Sequence, residues 1–437
     1  MAGERATSEL PPEPPAHWPA RVQAPPEPAP QGPSRRGGAS VIIAGAVVFA
    51  LLVTYGLGQA LVHADDPRRR GGPPSLPETT TTAPVEGLVP LEQAVPALIS
   101  FVEEQRGARF DPVPDVTPQE DVEYEATASS AIDRDIAFAR HEVTYEALGV
   151  DAGRSDLRAG LKLLASRATV ALYDEASGDV IVRGQTTTPY IRANIVAALT
   201  RALDQQLPPA DSPPVEQYDA SFAADALAAG SAATVEAAYV SQLDQADQAS
   251  YGQDLRQAQG MRGVSGAGEG AQFIDALPTL VGRQFAFHLL NAGAGSRAVD
   301  RAFKAPPTTS EQVFDTTAYD AKQRPLAVDR YPEPQGRLID EGRFGMADVV
   351  IALAPNIDLA TEAGSHEWGG GRFQTWVNAG EELCVRARVA GDTDATTARL
   401  LTRFQSWASR VGPGASAVSV PDKALGRAAV EIERCSS

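Results

Sequence analysis

Residues 171–206 read ALYDEASGDVIVRGQTTTPYIRANIVAALTRALDQQ, and this stretch decides the fold. Alternating β-branched residues on either side of Ser177-Gly178 predict a hairpin, TVALYD (169–174) against VIVRG (180–184), with the turn EASGD between them. A different period follows at once. Ile191, Ile195, Ala198, Leu199, Ala202 and Leu203 recur at helical spacing, which predicts a half-buried helix from Tyr190 to Leu207 with Thr188 as its cap.

Working outward, periodicity predicts helices over Pro96–Gly107, Ala126–Leu148, Ser155–Ser166, 219–247, 272–304, Leu338–Leu353 and Thr393–Arg410. FDPVPDV (110–116), 382–390 and 427–434 read as strands. The expected class is α+β: a mostly helical ectodomain over 91–437 with a small β-sheet, preceded by a single transmembrane helix.

The N-terminal part has a separate organisation. Residues 1–39, with PPEPP and PPEPAP, cannot bury apolar surface and read as a disordered, Pro-rich cytoplasmic tail. From Ser40 to Val62 the chain runs SVIIAGAVVFALLVTYGLGQALV without a charge, long enough to cross a bilayer core of roughly 30 Å. A cleavable signal peptide, cut near Val62-His63-Ala64, is the rival reading, but the leader is far longer than an ordinary n-region. Residues 40–63 are therefore expected to be an uncleaved single-pass anchor. Arg35 and Arg36 on one flank and Arg68, Arg69 and Arg70 on the other do not settle orientation. The Pro/Thr-rich linker over 64–90, including GGPPSLPETTTTAP, and the bulk of chain beyond it favour a cytoplasmic N-terminus with the rest extracytoplasmic, at the cell membrane.

Composition narrows the partners. The 437 residues carry 56 acidic and 38 basic side chains, net −18, and such a surface repels phosphate backbones, so no nucleic-acid partner is expected. The 43% hydrophobic content is enough for a sizeable core. Cys384 and Cys435 are too few for a disulfide framework and lack metal spacing; export makes one bridge between them the expectation, two unpaired thiols being the alternative.

The hairpin, linker and helix YDEASGDVIVRG–QTTTPYIRANIV–AALTRALDQQ resemble the core of bacterial neutral zinc metallopeptidases of zincin-like fold, where a strand pair ending VVRG precedes a helix carrying HELTHALDDQ. LISFVEEQRGARF, YEALGVDAGRSDLRAGLKLLASR, AVDRAFKAPPTTSEQVF, EWGGGRF and CVRARVAGDT are also similar to segments of that family, so the resemblance covers residues 95 to 437.

In such enzymes two His four residues apart share one helix face and one zinc, and the Glu after the first takes a proton from the metal-bound water. The resemblance places Ala197 at the first His, Ala198 at the Glu, Arg201 at the second His and Ala229 at the third ligand. Methyls have no lone pair and a guanidinium stays protonated, so no zinc, no other cofactor and no peptidase activity are expected. Gly371 stands where relatives carry an Asp. Arg201 is a candidate for a cleft ion pair that replaces the metal, with Asp225 or Glu236 as partner, the alternative being a side chain that reaches solvent. The implied protein is a binding or regulatory pseudopeptidase with a peptide or envelope-protein ligand. An enzyme with relocated hydrolytic chemistry, using His366 or acids near EWGGG, and a structural envelope protein are the alternatives.

Other candidates read as bland. His141-Glu142 looks like a surface helical pair, His288 like a satisfied core histidine, and Ser265 in GVSGAG like part of a flexible loop spanning the Gly260–Gly270 run. His17, His63 and His366 have no partner at ligand spacing.

Overall fold

In the computed structural model the described residues are 88–151, 156–207, 218–264, 266–354 and 368–436. The expected tail, the anchor over 40–63, most of the linker, His17, His63, Ser265 and His366 lie outside them. Among the described residues no helix is long and apolar enough to cross a membrane.

The N-terminal half brings helices onto a small sheet. Strand β1 (Val89–Pro90) leads into α1 (Leu91–Arg106), followed by β2 (Val116–Gln119), α2 (Asp121–Arg134), α3 (Ile136–Leu148) and α4 (Leu157–Ala168). The hairpin β3 (Ala171–Asp174) and β4 (Asp179–Arg183) then forms, with β2 adding in parallel on the far side of β4. After β5 (Thr186–Thr187), which pairs with β1, comes α5 (Pro189–Gln205). Pro189 sits in its first turn and the Thr188 hydroxyl accepts from Ile191 N at 3.3 Å, so an orphan amide is capped where the pattern placed the cap. Leu98, Val102, Val180, Val182, Ile195 and Leu199 close one apolar core between α1, β4 and α5.

The second half begins with α6 (Tyr218–Ser241), α7 (Gln245–Val264) and α8 (Glu269–Leu289), and a π turn (Leu290–Ala294) leads to α9 (Ser296–Lys304). Small residues in AADALAAGSAA let α6 approach α8 until backbones touch. A Cβ at Gly230 would fall 2.0 Å from Gly282 O, and one at Gly282 would fall 1.9 Å from Ala226 O. Because backbone is the obstacle, Gly230→Ala is expected to cost roughly 1–3 kcal/mol through overpacking. Thermal unfolding checks this, and an unchanged midpoint would refute the close crossing.

Short helices α10 (Glu311–Phe314) and α11 (Thr316–Asp320) precede β6 (Gly336–Gly342) and α12 (Met346–Leu353). The chain ends with β7 (Gly370–Asn378), β8 (Leu383–Ala390), α13 (Asp394–Val411), β9 (Ala415–Asp422) and β10 (Arg427–Ser436). These strands make an antiparallel sheet in the order β6-β7-β8-β10-β9. One face carries Phe373, Val385, Val389, Val430 and Ile432 into the larger core, which also holds Tyr145, Phe285, Phe404 and Trp407. Helices and mainly antiparallel sheets in one chain are compatible with the α+β class.

Several boundaries differ from expectation. Val89–Pro90 already pairs in a sheet, so ordered structure starts inside the stretch read as linker. The region 126–148 breaks at Asp135, whose carboxylate caps α3 by accepting from Phe138 N at 2.9 Å. FDPVPDV is strand only from Val116, and the Gly260 region is helix through Val264 rather than loop. Residues 338–353 are not one helix: Leu338 belongs to β6, and helix starts only at Met346. Strands β7 and β9 were not foreseen.

Candidate functional site

Helices α5 and α6 pack side by side and run in opposite directions. Arg192 near the start of α5 donates to the Tyr239 hydroxyl near the end of α6 at 3.1 Å, whereas Asp204 near the end of α5 faces Ser231 in the middle of α6. The four positions marked by the resemblance lie on this helix pair. Ala198 is buried among apolar neighbours that include Val235, and Ala229 is buried as well. Ala197 is half-buried and Arg201 is exposed.

Arg201 makes no ion pair within 4 Å among the described residues, so a direct tie to Asp225 or Glu236 is not formed. Glu236 instead accepts from the Tyr251 hydroxyl at 3.2 Å and feels the charge of Arg283. Arg201 acts on Asp225 through space. Burial raises the Asp225 carboxyl to about 7, Asp135 pushes the same way, Arg201 opposes and Glu175 adds a little. Yet Asp225 is solvent-accessible. Water screens these charges at an accessible carboxylate, and the shift is upward. The other acidic groups acting on it are Asp135 at the cap of α3 and Glu175 in the β3–β4 turn, which accepts from Gln205 Nε2 at 3.3 Å.

Three carboxylates against one guanidinium make this patch acidic. Among the described residues no group of three or more His, Cys, Asp or Glu is placed to hold a metal ion. A carboxyl raised to about 7 is chemically able to give and take protons near neutrality. In Arg201→Gln the Asp225 midpoint is expected to rise above its wild-type value, and in Asp135→Asn to fall, followed by carboxyl carbon NMR. Midpoints unmoved in both variants would dissolve the coupling.

Two buried clusters escaped sequence reading. His141 is not a surface residue: it is 1% exposed, stacked on Tyr218 at 4.2 Å between ring centroids, with Nδ1 3.2 Å from Asp340 and Nε2 2.8 Å from Asp348. Burial alone would lower its pKa, but the two carboxylates, Asp348 foremost, more than offset this and raise it to about 9. The imidazolium therefore ties α3 to β6 and α12. Its neighbour Glu142 is half-buried, gripped by Arg158 at 2.9 Å. The signal available in sequence was the Phe138–His141–Tyr145 spacing, which places the ring on an apolar helix face.

The second cluster surrounds TTSEQVF. Asp219 accepts from Ser310 N at 2.9 Å, from the Ser310 hydroxyl and from Arg343 at 3.2 Å. Next to it Glu311 is 5% exposed, its Oε2 without a hydrogen-bond donor among the described residues. Burial lifts the Glu311 carboxyl to about 8, with Asp392, Asp315 and Asp219 adding repulsion.

The remaining candidates fall elsewhere. His288 is no core residue; it is half-buried and meets Asp320 at 2.9 Å. At Gly371 a Cβ would lie 2.6 Å from Phe344 O, so this fold leaves no room for a side chain there. Cys384 and Cys435 form a disulfide across β8 and β10.

Compared with known protein families, characterised proteins and solved structures, the chain finds no match. The geometry and the residue pattern therefore carry the functional reading.

Proposed function

We propose that this chain is a non-catalytic, zinc-metallopeptidase-like protein of zincin-like fold, anchored at the cell membrane by residues 40–63 with its bulk extracytoplasmic. Its role is to bind or regulate, with a peptide or envelope protein as ligand at the α5–α6 pair. The observation that supports this most is Arg201, a permanent cation on α5 whose charge reaches Asp225 on α6, at the position where the resemblance requires a neutral imidazole. Cations repel each other, so a guanidinium there opposes zinc as well as failing to bind it. The buried methyls of Ala198 and Ala229 supply no base and no ligand.

One observation favours a second reading, an enzyme with relocated chemistry: the Asp225 carboxyl raised to about 7. The test is metal analysis and peptide turnover on the purified full chain. No stoichiometric zinc and no hydrolysis, in wild type and Asp225→Asn alike, is the expected outcome. Stoichiometric zinc with chelator-sensitive hydrolysis would overturn the proposal. Turnover that survives chelator but disappears in Asp225→Asn would establish the second reading.

A further inference from the structure

The outer face of the C-terminal sheet is rich in arginine although the chain is acidic overall. Register places Arg372 opposite Arg388 and Gln374 opposite Arg386. The segment 326–332 is strapped over this face: Leu326 N donates to Gly369 O at 2.7 Å, and Arg386 donates to Pro332 O at 2.6 Å. The Tyr331 ring lies under two guanidinium groups, at 4.5 Å from Arg386 and 5.1 Å from Arg388.

Most of these cations are satisfied. Arg388 meets Glu431 at 2.6 Å and Asp422 at 3.4 Å; Arg386 meets Gln374 Oε1 at 2.6 Å; neighbouring Arg343 meets Asp219 at 3.2 Å. Arg330 and Arg372 are different. Neither forms an ion pair or hydrogen bond with another described residue, and both line one pocket of about 220 Å³ between the strap and β6–β7. Burial and the like charges of Arg330 and Arg343 hold the Arg372 pKa below its usual value, with Glu341 opposing. Glu341 is itself engaged, accepting from Gln374 Nε2 at 2.9 Å. Two guanidinium groups left crowded and unpaired in one recess are a standing demand for an anion.

The pocket restricts which anion. Its volume equals that of about seven waters and is below the range typical of drug-sized ligands, so it admits one residue rather than a nucleotide. Leu338, 41% exposed, gives it an apolar wall. Glu333 and Glu341 also line it and penalise a dianion more than a monoanion. A planar monoanion matches the arginine fork. We propose that this pocket binds the carboxylate of a peptide residue, clamped by Arg372 and Arg330, its apolar part resting on Leu338. The carboxylate is either a chain terminus or an acidic side chain. The site lies on other elements than the α5–α6 pair, so each idea stands or fails alone.

Calorimetric titration of the full chain tests it with N-acetylphenylalanine, its amide, N-acetylglutamic α-amide and inorganic phosphate. At least one carboxylate probe should bind, and the better of the two identifies chain end or side chain as the source. Arg372→Gln and the exposed Arg330→Gln should each weaken binding about tenfold or more, as loss of charge-assisted hydrogen bonds implies, with unchanged melting temperatures. Arg372→Lys should fall between wild type and Arg372→Gln. The proposal is overturned if the amide binds as well as the acid, if phosphate binds more tightly than both carboxylates, if the folded Arg variants bind like wild type, or if no probe binds.

Discussion

Replacing Cys384 and Cys435 together by alanine is expected to lower the unfolding free energy by about 4 kcal/mol, the loop-closure entropy released by opening a cross-link of this span. The bridge joins residues 51 apart, and the loop it closes contains all of α13 and β9. It also lies where the sheet depends on a distant pairing, since β10 is inserted between β8 and β9 with Cys435 directly opposite Cys384. In the reduced unfolded chain these strands must find each other across that whole loop. Alanine is the substitution of choice because Cys384 is fully buried and a serine hydroxyl would need a partner there. Denaturant unfolding of the double variant, beside wild type with and without reductant, reads the effect. A loss under about 1 kcal/mol would mean the unfolded chain is already restrained without the bridge.

The second large effect concerns His141. Its removal in His141→Gln leaves Asp348 and Asp340 buried without their shared cation, and breaking such a pair costs about 3–5 kcal/mol. The lower end is expected, because other donors remain. Tyr145 hydroxyl and Gly345 N still donate to Asp348 at 3.0 and 2.7 Å, and Arg140 still meets Asp340 at 3.0 Å. The effect has a pH signature. The folded pKa of about 9 exceeds the ordinary 6.5, so the proton is bound more tightly in the native state. That stabilisation is fully present below about pH 6.5, and it is lost as pH rises through about 9. The stability difference between wild type and His141→Gln should thus be flat in mild acid and shrink steadily on the alkaline side. Urea midpoints taken across that range decide it. A difference independent of pH would show that the ring is neutral in the fold.

Much of the N-terminal framework was legible from residue pattern. The hairpin around Ser177-Gly178 and the capped helix from Pro189 follow from turn chemistry and period, both of which act over a few residues. The later sheet was much less so. LIDEG (338–342) falls inside the helix expected over Leu338–Leu353; it is a strand because β7 supplies the partner, with a register shift between Leu338 and Asp340. Glycine is depleted in strands, yet Gly370 and Gly371 begin β7. Their missing side chains admit Leu326 O and Phe344 O, which a Cβ would approach to 2.4 and 2.6 Å.

The same division separates the sites. That α5 carries Ala197, Ala198 and Arg201 can be read directly from AALTRALDQQ, since side-chain chemistry is local. Which charges meet cannot. His141 finds its carboxylates 199 and 207 residues further on, Asp219 finds Arg343 across 124, and Arg330 and Arg372 share a pocket only because the strap crosses β7. Period and capping arise from neighbours in the chain, whereas burial and electrostatic pairing arise from neighbours in space. For this protein the first kind of information specified the hairpin, the capped helix and the helical periods around them, and the second alone revealed the buried imidazolium, the charges around Asp225 and the unpaired arginines.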